Sequence, residues 1–376
     1  RNGTNSISAD VTLSDATWIT VQSGKLVLNG DFINTTVRAL TVFTEGDLEI
    51  NGTIGNKAVS TLTKYSGGRL TMRGSSGHTG VTYIYGGALN VQHNNALGTT
   101  AGGTIVYNTA ALELQGNVTI GNEALTIVGL GPDNDGALRS VSGTNTYGGT
   151  VTLSTRDCRI NCDSGLLKLA PATGNSVAST ALNVILGGNG DIEIANPVAL
   201  VSGSLTKDGN GTLTLKAVNT FTGSTTVKSG KLTLEGSLAA GSTVTVASDA
   251  LLDGSGHAKG AVIMRNGATL APGEFGVAGC NLTTGSLLLE NNSLTVLEFD
   301  PGNANDTVTI TDANGLAIQS VAKVALYNKG TTTPLTTLGT YSLFQYNGAL
   351  DGSPDNLVVH DPATTVLYTF FAEDGW

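Results

Sequence analysis

Along most of this chain, apolar and small polar residues alternate for a few positions until a Gly or Asn ends the run. GKLVLNG, GDLEING, GRLTMRG, GTLTLK and GKLTLEG are examples. In GTLTLK, Leu213 and Leu215 point to one side and Thr212 and Thr214 to the other, the two-residue period of a half-buried strand. Such runs recur roughly every 10 to 12 residues. No helical period of useful length lies between them. That excludes strand–helix–strand units and leaves a sandwich, a barrel or a solenoid.

A repeated phrase decides among these. TLTKYSGGRLTMRGSSGHTGVTYIYGGALNV (Thr61 to Val91) and SLTKDGNGTLTLKAVNTFTGSTTVKSGKLTLEG (Ser204 to Gly236) align without a gap. Leu205 falls on Leu62, Lys207 on Lys64, Leu213 on Leu70, Gly223 on Gly80, Gly230 on Gly87 and Leu232 on Leu89. A sandwich has no need of two distant copies of one phrase, whereas in a solenoid each coil is one unit stacked on its neighbour. Glycines then stay in step because the corners must, and leucines because each lands on the one below, about 4.8 Å away. The expected fold is all-β: a right-handed parallel β-helix (β-solenoid) with a C-terminal β-rich cap or small β-sandwich. Residues 1–50 read as N-terminal strands and first coils, 51–283 as the solenoid and 284–376 as the cap region. Leu213, Leu215, Val227, Leu232 and Leu234 are expected inside, as are Leu70, Met72, Ile84, Leu89 and Val91.

Composition agrees. Of 376 residues 51 are Gly, 8 are Pro, 40% are hydrophobic and 13% are charged, too apolar for disorder and rich in strand and turn formers. The net charge of −10 argues against a nucleic-acid partner and against an anionic lipid surface. No apolar run approaches about 18 residues, so this chain is not expected to insert in a membrane. It opens RNGTNS, with no initiator Met and no charged-then-apolar signal, and reads as a processed or trimmed chain. Cys158 and Cys162 lie four apart in DCRINCDSG: a flat strand holds them too far apart for a disulfide, and a tight turn would permit one.

The repeated phrase resembles the autotransporter-associated β-strand repeat of passenger regions in bacterial surface proteins. NNALGTTAGG (Asn94 to Gly103) and GALRSVSGTNTYGGTVTL (Gly136 to Leu153) resemble segments that accompany it, GATLAPGEFGVAGCNLTTGSLLL (Gly267 to Leu289) the coil that opens the last rungs, and LGTYSLFQYNGALDG (Leu338 to Gly352) the closing strands. The resemblance implies an extracellular or bacterial cell-surface location and a structural or adhesive role, with surface glycans or other cells as partners. Passengers of this kind normally run on into a C-terminal membrane barrel; with the sequence ending at Trp376, either a barrel cleaved off or export by another route is expected.

No catalytic set is legible, and the chain is read as a non-enzyme. The acids are scattered over strand ends and turns, densest in GPDNDG and DPGNAND. Asp133, Asp135, Asp300 and Asp306 are therefore the candidates for Ca²⁺, without the full ligand spacing of a known loop; hydrophilic turns are the alternative reading. No other cofactor is expected. The four histidines lack metal-ligand spacing, and His78, which falls on Phe221, reads as a corner residue. Trp18, Tyr83, Tyr85, Tyr147 and Phe221 form either a sugar-stacking strip, which makes a carbohydrate-binding or lyase-like β-helix the alternative function, or packing at rung edges. An open solenoid also leaves unpaired strand edges at its ends. Ile7, Ala9, Val11 and Leu13 share one parity near the start, and Val366, Tyr368 and Phe370 near the end. Both segments are expected to add a strand to a second copy, the first donated into the region of the second, giving a head-to-tail filament. Self-capping of the ends is the alternative.

Overall fold

The structure, a computed structural model, describes residues 3–13, 15–34, 38–55, 59–300, 302, 304–361 and 366–372. It forms two compact units, residues 1–200 and 201–376. Both are built of parallel strands stacked as a β-solenoid. Among the described residues the helical elements are two single 3₁₀ turns, Pro132–Asn134 and Pro354–Asn356, and no helix is long and apolar enough to cross a membrane.

In the first unit each coil lays strands on successive faces. One face is a nine-stranded sheet that includes Thr17–Val21, Arg38–Thr44, Val59–Tyr65 and Thr82–Ile84. A second runs through Lys25–Leu28, Asp47–Ile50, Arg69–Met72, Gly87–Val91, Ala110–Gln115 and Leu138–Ser142. Leu48, Leu70, Leu89, Leu112, Leu138 and Ile160 pair in sequence across it. All six are buried. The alternating pattern thus becomes one continuous inward stack, in which every leucine is removed from water by the coil above and below; each such burial contributes roughly 1.5–3 kcal/mol. The second unit repeats this with Leu213, Leu232, Leu252 and Leu270. All ten residues expected inside from the repeated phrase are buried.

The two copies of the phrase fold alike. Leu62 pairs with Thr82 and Leu70 with Leu89; Leu205 pairs with Thr225 and Leu213 with Leu232. Gly87 and Gly230 hold the same corner with φ of 61° and 68°, and a Cβ there would run into the backbone carbonyl of the preceding coil. The matched lysines are both buried. Lys64 Nζ donates to the carbonyls of Tyr65 at 2.8 Å, Ser66 at 2.7 Å and Gly86 at 3.1 Å. Lys207 Nζ donates to those of Asp208 at 2.7 Å, Gly209 at 2.9 Å and Ser229 at 3.2 Å. A corner turns carbonyls away from the sheet ladder, and one ammonium with three donors collects them from two coils at once. Burial pushes Lys64 down to about 8.

Strands lengthen after residue 280, as in Asn281–Leu289, Leu294–Asp300, Thr307–Ala313 and Ala322–Asn328. They stay parallel to their neighbouring rungs down to Leu357–Val359, with antiparallel pairings at Ala304–Asn305 and at the isolated bridge between Tyr327 and Pro334. The expected β-rich cap therefore consists of further rungs, and the sandwich alternative does not form. The composition boundary at 283/284 falls inside the strand Asn281–Leu289.

Candidate functional site: a strand edge and a terminal cleft

In the first unit, Thr4–Ile7 pairs through one edge, with Lys25–Leu28. All four of its residues are exposed, Ile7 by 45%. The chain bends at Ala9, and Val11–Leu13 pairs with Phe32–Asn34. Leu13 is buried and Val11 half-buried, while Ile7 and Ala9 face solvent. The four residues do not form the single apolar face their parity predicts, because the bend at Ala9 resets the two-residue period.

In the second unit, the last rungs surround a cleft of about 300 Å³, lined by Leu316, Ile318, Leu343, Leu350 and Leu357 together with polar residues such as Thr337 and Ser342. Residues 366–372 lie along it without strand pairing. Val366, Tyr368 and Phe370 are half-buried, while Leu367 is 91% and Phe371 58% exposed. Here the expected parity holds. Tyr368 Oη donates to the Leu335 carbonyl at 2.8 Å.

The calcium candidates serve other partners. Asp135 pairs with Arg139 at 3.2 Å, and Asp300 with Lys329 at 3.3 Å. Asp133 sits in the 3₁₀ turn at φ 51°. Asp306 is buried, accepting from the Cys280 amide at 3.0 Å and the Glu298 amide at 2.9 Å. Glu298 in turn accepts from the amides of Gly276 and Gly330. Buried carboxylates here staple loops to the sheet. Among the described residues no three acid, His or Cys side chains converge as metal ligands do.

His78 is buried between Ser76 Oγ and Thr82 Oγ1, each at 2.7 Å, and burial pushes it down to about 4. One coil on, Thr104, the register partner of Thr82, donates to Glu123 Oε1 at 2.6 Å. Burial raises Glu123 to about 7. This corner is polar but closed to solvent, so His78 is the structural residue its alignment with Phe221 implies. Cys158 and Cys162 are free buried thiols on one strand. Tyr147 and Phe221 are buried. Trp18, Tyr83 and Tyr85 do share an outer face, with Phe43, Tyr65 and Tyr107, which the sequence reading passed over. Phe43, Tyr65, Tyr85 and Tyr107 stack with centroids 5.0, 4.8 and 4.3 Å apart. The coil-length spacing between Phe43 and Tyr65 was the available signal.

A family model matches the chain at residues 62–91 and 205–234. These are passenger-associated-transport-repeats. Each repeat covers two strands of one coil and the two strands of the next that pair with them, so Lys64 and Lys207, the paired leucines and the corner glycines all fall inside it. The match agrees with the resemblance read from the residues. No curated protein matches the chain.

Proposed function

We propose that the chain is an exported, passenger-like surface solenoid that acts structurally and polymerises head to tail. The repeats support the passenger reading, and with it secretion to the cell surface. The observation that carries the assembly is the terminal cleft. A cleft of about 300 Å³ opens at the last rungs, and the segment along it leaves Leu367 in water, as the rim leaves Leu338. A strand entering there from a second copy pairs its backbone with the last rung and fills the cavity with side chains. Thr4–Ile7 is the donor: among the described residues Lys25–Leu28 is its one strand partner, and Ile7 is exposed. Contact between two different surfaces repeats head to tail from copy to copy, and where its rotation does not close it builds a fibre.

Deletion of residues 1–8 spares Val11–Leu13, and with it the buried Leu13. We expect the truncated chain to keep its β-rich circular dichroism and to lose fibres in negative-stain images. Leu338→Glu, at an 83% exposed rim position of the cleft, is expected to do the same. Fibres formed equally by both variants, or a full chain that sediments as a monomer at high concentration, would overturn the assembly.

A further inference from the structure

The second face of the first unit carries a polar recess of about 230 Å³, remote in composition from the sites above. Glu49, Thr71 and Asn90 line it on consecutive rungs, and the same row runs on beyond it through Glu113, Arg139 and Asn161. Their neighbours Arg73, Gln92 and Gln115 follow the same strands outward. Five of the first six and all of the last three end in a planar carboxylate, amide or guanidinium. These heads hold one another. Arg73 donates through Nε to Glu49 Oε1 at 2.9 Å and through Nη1 to Gln92 Oε1 at 2.6 Å. Gln92 Nε2 donates to Asn90 Oδ1 at 2.8 Å and Gln115 Oε1 at 3.1 Å. Asn90 Nδ2 donates to Glu113 Oε2 at 3.0 Å, and Arg69 Nη2 to Glu113 Oε1 at 3.0 Å. Asn90 and Glu113 are buried under this network.

Folding does not require it. In the second copy of the repeat the residues matched to Arg69, Thr71, Arg73, Asn90 and Gln92 are Thr212, Thr214, Lys216, Thr233 and Glu235. That copy keeps the same register, with Thr214 opposite Thr233 where the first has Thr71 opposite Asn90. A plain threonine ladder suffices, so the planar heads of the first copy are surplus to the stack.

We propose that this recess binds a neutral oligosaccharide. The lining carries three cations, Lys25, Arg69 and Arg73, and two anions, Asp47 and Glu49; each cation is already paired, Lys25 and Arg73 with Glu49 and Arg69 with the buried Glu113 beneath, so the recess favours neither an acidic nor a basic ligand. Capacity remains after the internal bonds: the Gln115 side-chain N–H₂, the Thr71 hydroxyl and the outer N–H groups of Arg69 and Arg73, whose side chains are about half exposed. Planar heads present donors and acceptors in pairs, which matches hydroxyls on adjacent ring carbons. Because their rotamers are already fixed, binding costs little further side-chain entropy. Rungs about 4.8 Å apart let successive sugar units meet equivalent heads along the stack. Aromatic faces are absent from the lining, so recognition is edge-on, through hydroxyls.

Titration of the full chain with cellohexaose, laminarihexaose, maltohexaose and mannohexaose, followed by calorimetry and saturation-transfer NMR, tests this. At least one neutral hexaose is expected to saturate, and Gln92→Ala with Gln115→Ala to weaken it tenfold or more. Arg73→Lys keeps the charge but loses the fork, and is expected to weaken binding if the double variant does not fold. Thr233→Ala, the matched position in the second unit, should leave it unchanged. Failure of all four sugars to saturate, binding that survives the recess variants, or tighter binding of a hexauronate would each overturn the proposal.

Discussion

The two copies of the repeat share a backbone register and differ in what fills the corner. In the copy at 62–91, Ser76, His78 and Thr82 form a buried polar chain. In the copy at 205–234 the same three positions hold Asn219, Phe221 and Thr225. There Phe221 is buried, Asn219 donates to the carbonyls of Ala217 and Ser237, and Thr225 meets Ser242 at 3.1 Å. The corner's shape is fixed by the glycines and by the lysine, and its filling is free to be apolar or polar provided each polar atom is satisfied. A solenoid repeat is thus a specification of backbone turns and of one inward stack. Its chemistry resides in positions the stack leaves unconstrained.

That comparison breaks most sharply under pH. His78 is depressed to about 4 when folded, so its contribution is complete above about pH 6.5 and is lost as pH falls toward 4. Glu123 is raised to about 7, so its contribution is complete below about pH 4.5 and is lost as pH rises through 7. Each change is worth about 3 kcal/mol, and in the shared window the two oppose each other. The wild-type chain is therefore expected to show a nearly flat midpoint in urea from pH 4.5 to 6.5. His78→Phe imports the apolar filling of the second copy and removes one arm, so the midpoint should fall steadily as pH is raised from 4.5 to 7. Phe221→His should give the reverse slope. Flat profiles in both variants would show that the corner does not titrate.

The lysines should behave alike where the corners differ. Lys64→Met and Lys207→Met each keep the aliphatic stem and remove three donors, leaving carbonyls of two coils unpaired. Each is expected to cost about 2 kcal/mol in chemical denaturation. A neutral result at one site and a loss at the other would mean that the common register hides different corner energetics.

Sequence pattern carried the fold because the stack is written in it. Leu70 and Leu89, or Leu213 and Leu232, alternate with polar residues and recur at fixed offsets, and that periodicity is the fold's own. The buried lysines were visible as a match, Lys207 on Lys64, but their role was not, since orphan corner carbonyls appear only once the backbone is turned. Ile7 and Leu13 were misjudged as one face for a related reason: a bend at Ala9 leaves no mark in an alternating run. The polar recess was illegible because Arg73, Gln92 and Gln115 are distant in sequence and meet only through coil stacking.

The smallest effect concerns the aromatic ladder, present in the first copy alone. Tyr65 and Tyr85 are matched in the second copy by Asp208 and Lys228. Rings stacked at interplanar angles of 11°, 4° and 16° spend their inner faces on each other along Phe43, Tyr65, Tyr85 and Tyr107. Trp18 departs from the stack, meeting Phe43 edge-on at 6.3 Å, and it is 76% exposed. The ladder then acts as packing along the sheet. Tyr65→Ala should cost about 1–2 kcal/mol, and a double-mutant cycle with Tyr85→Ala should return a coupling of about 1 kcal/mol. Asp208→Ala, at the matched site, should stay within about 0.5 kcal/mol. If the Tyr65–Tyr85 coupling is zero, the rings stack without holding the rungs together. The second copy, which folds the same coil without the ladder, would then be the complete account of what the repeat needs.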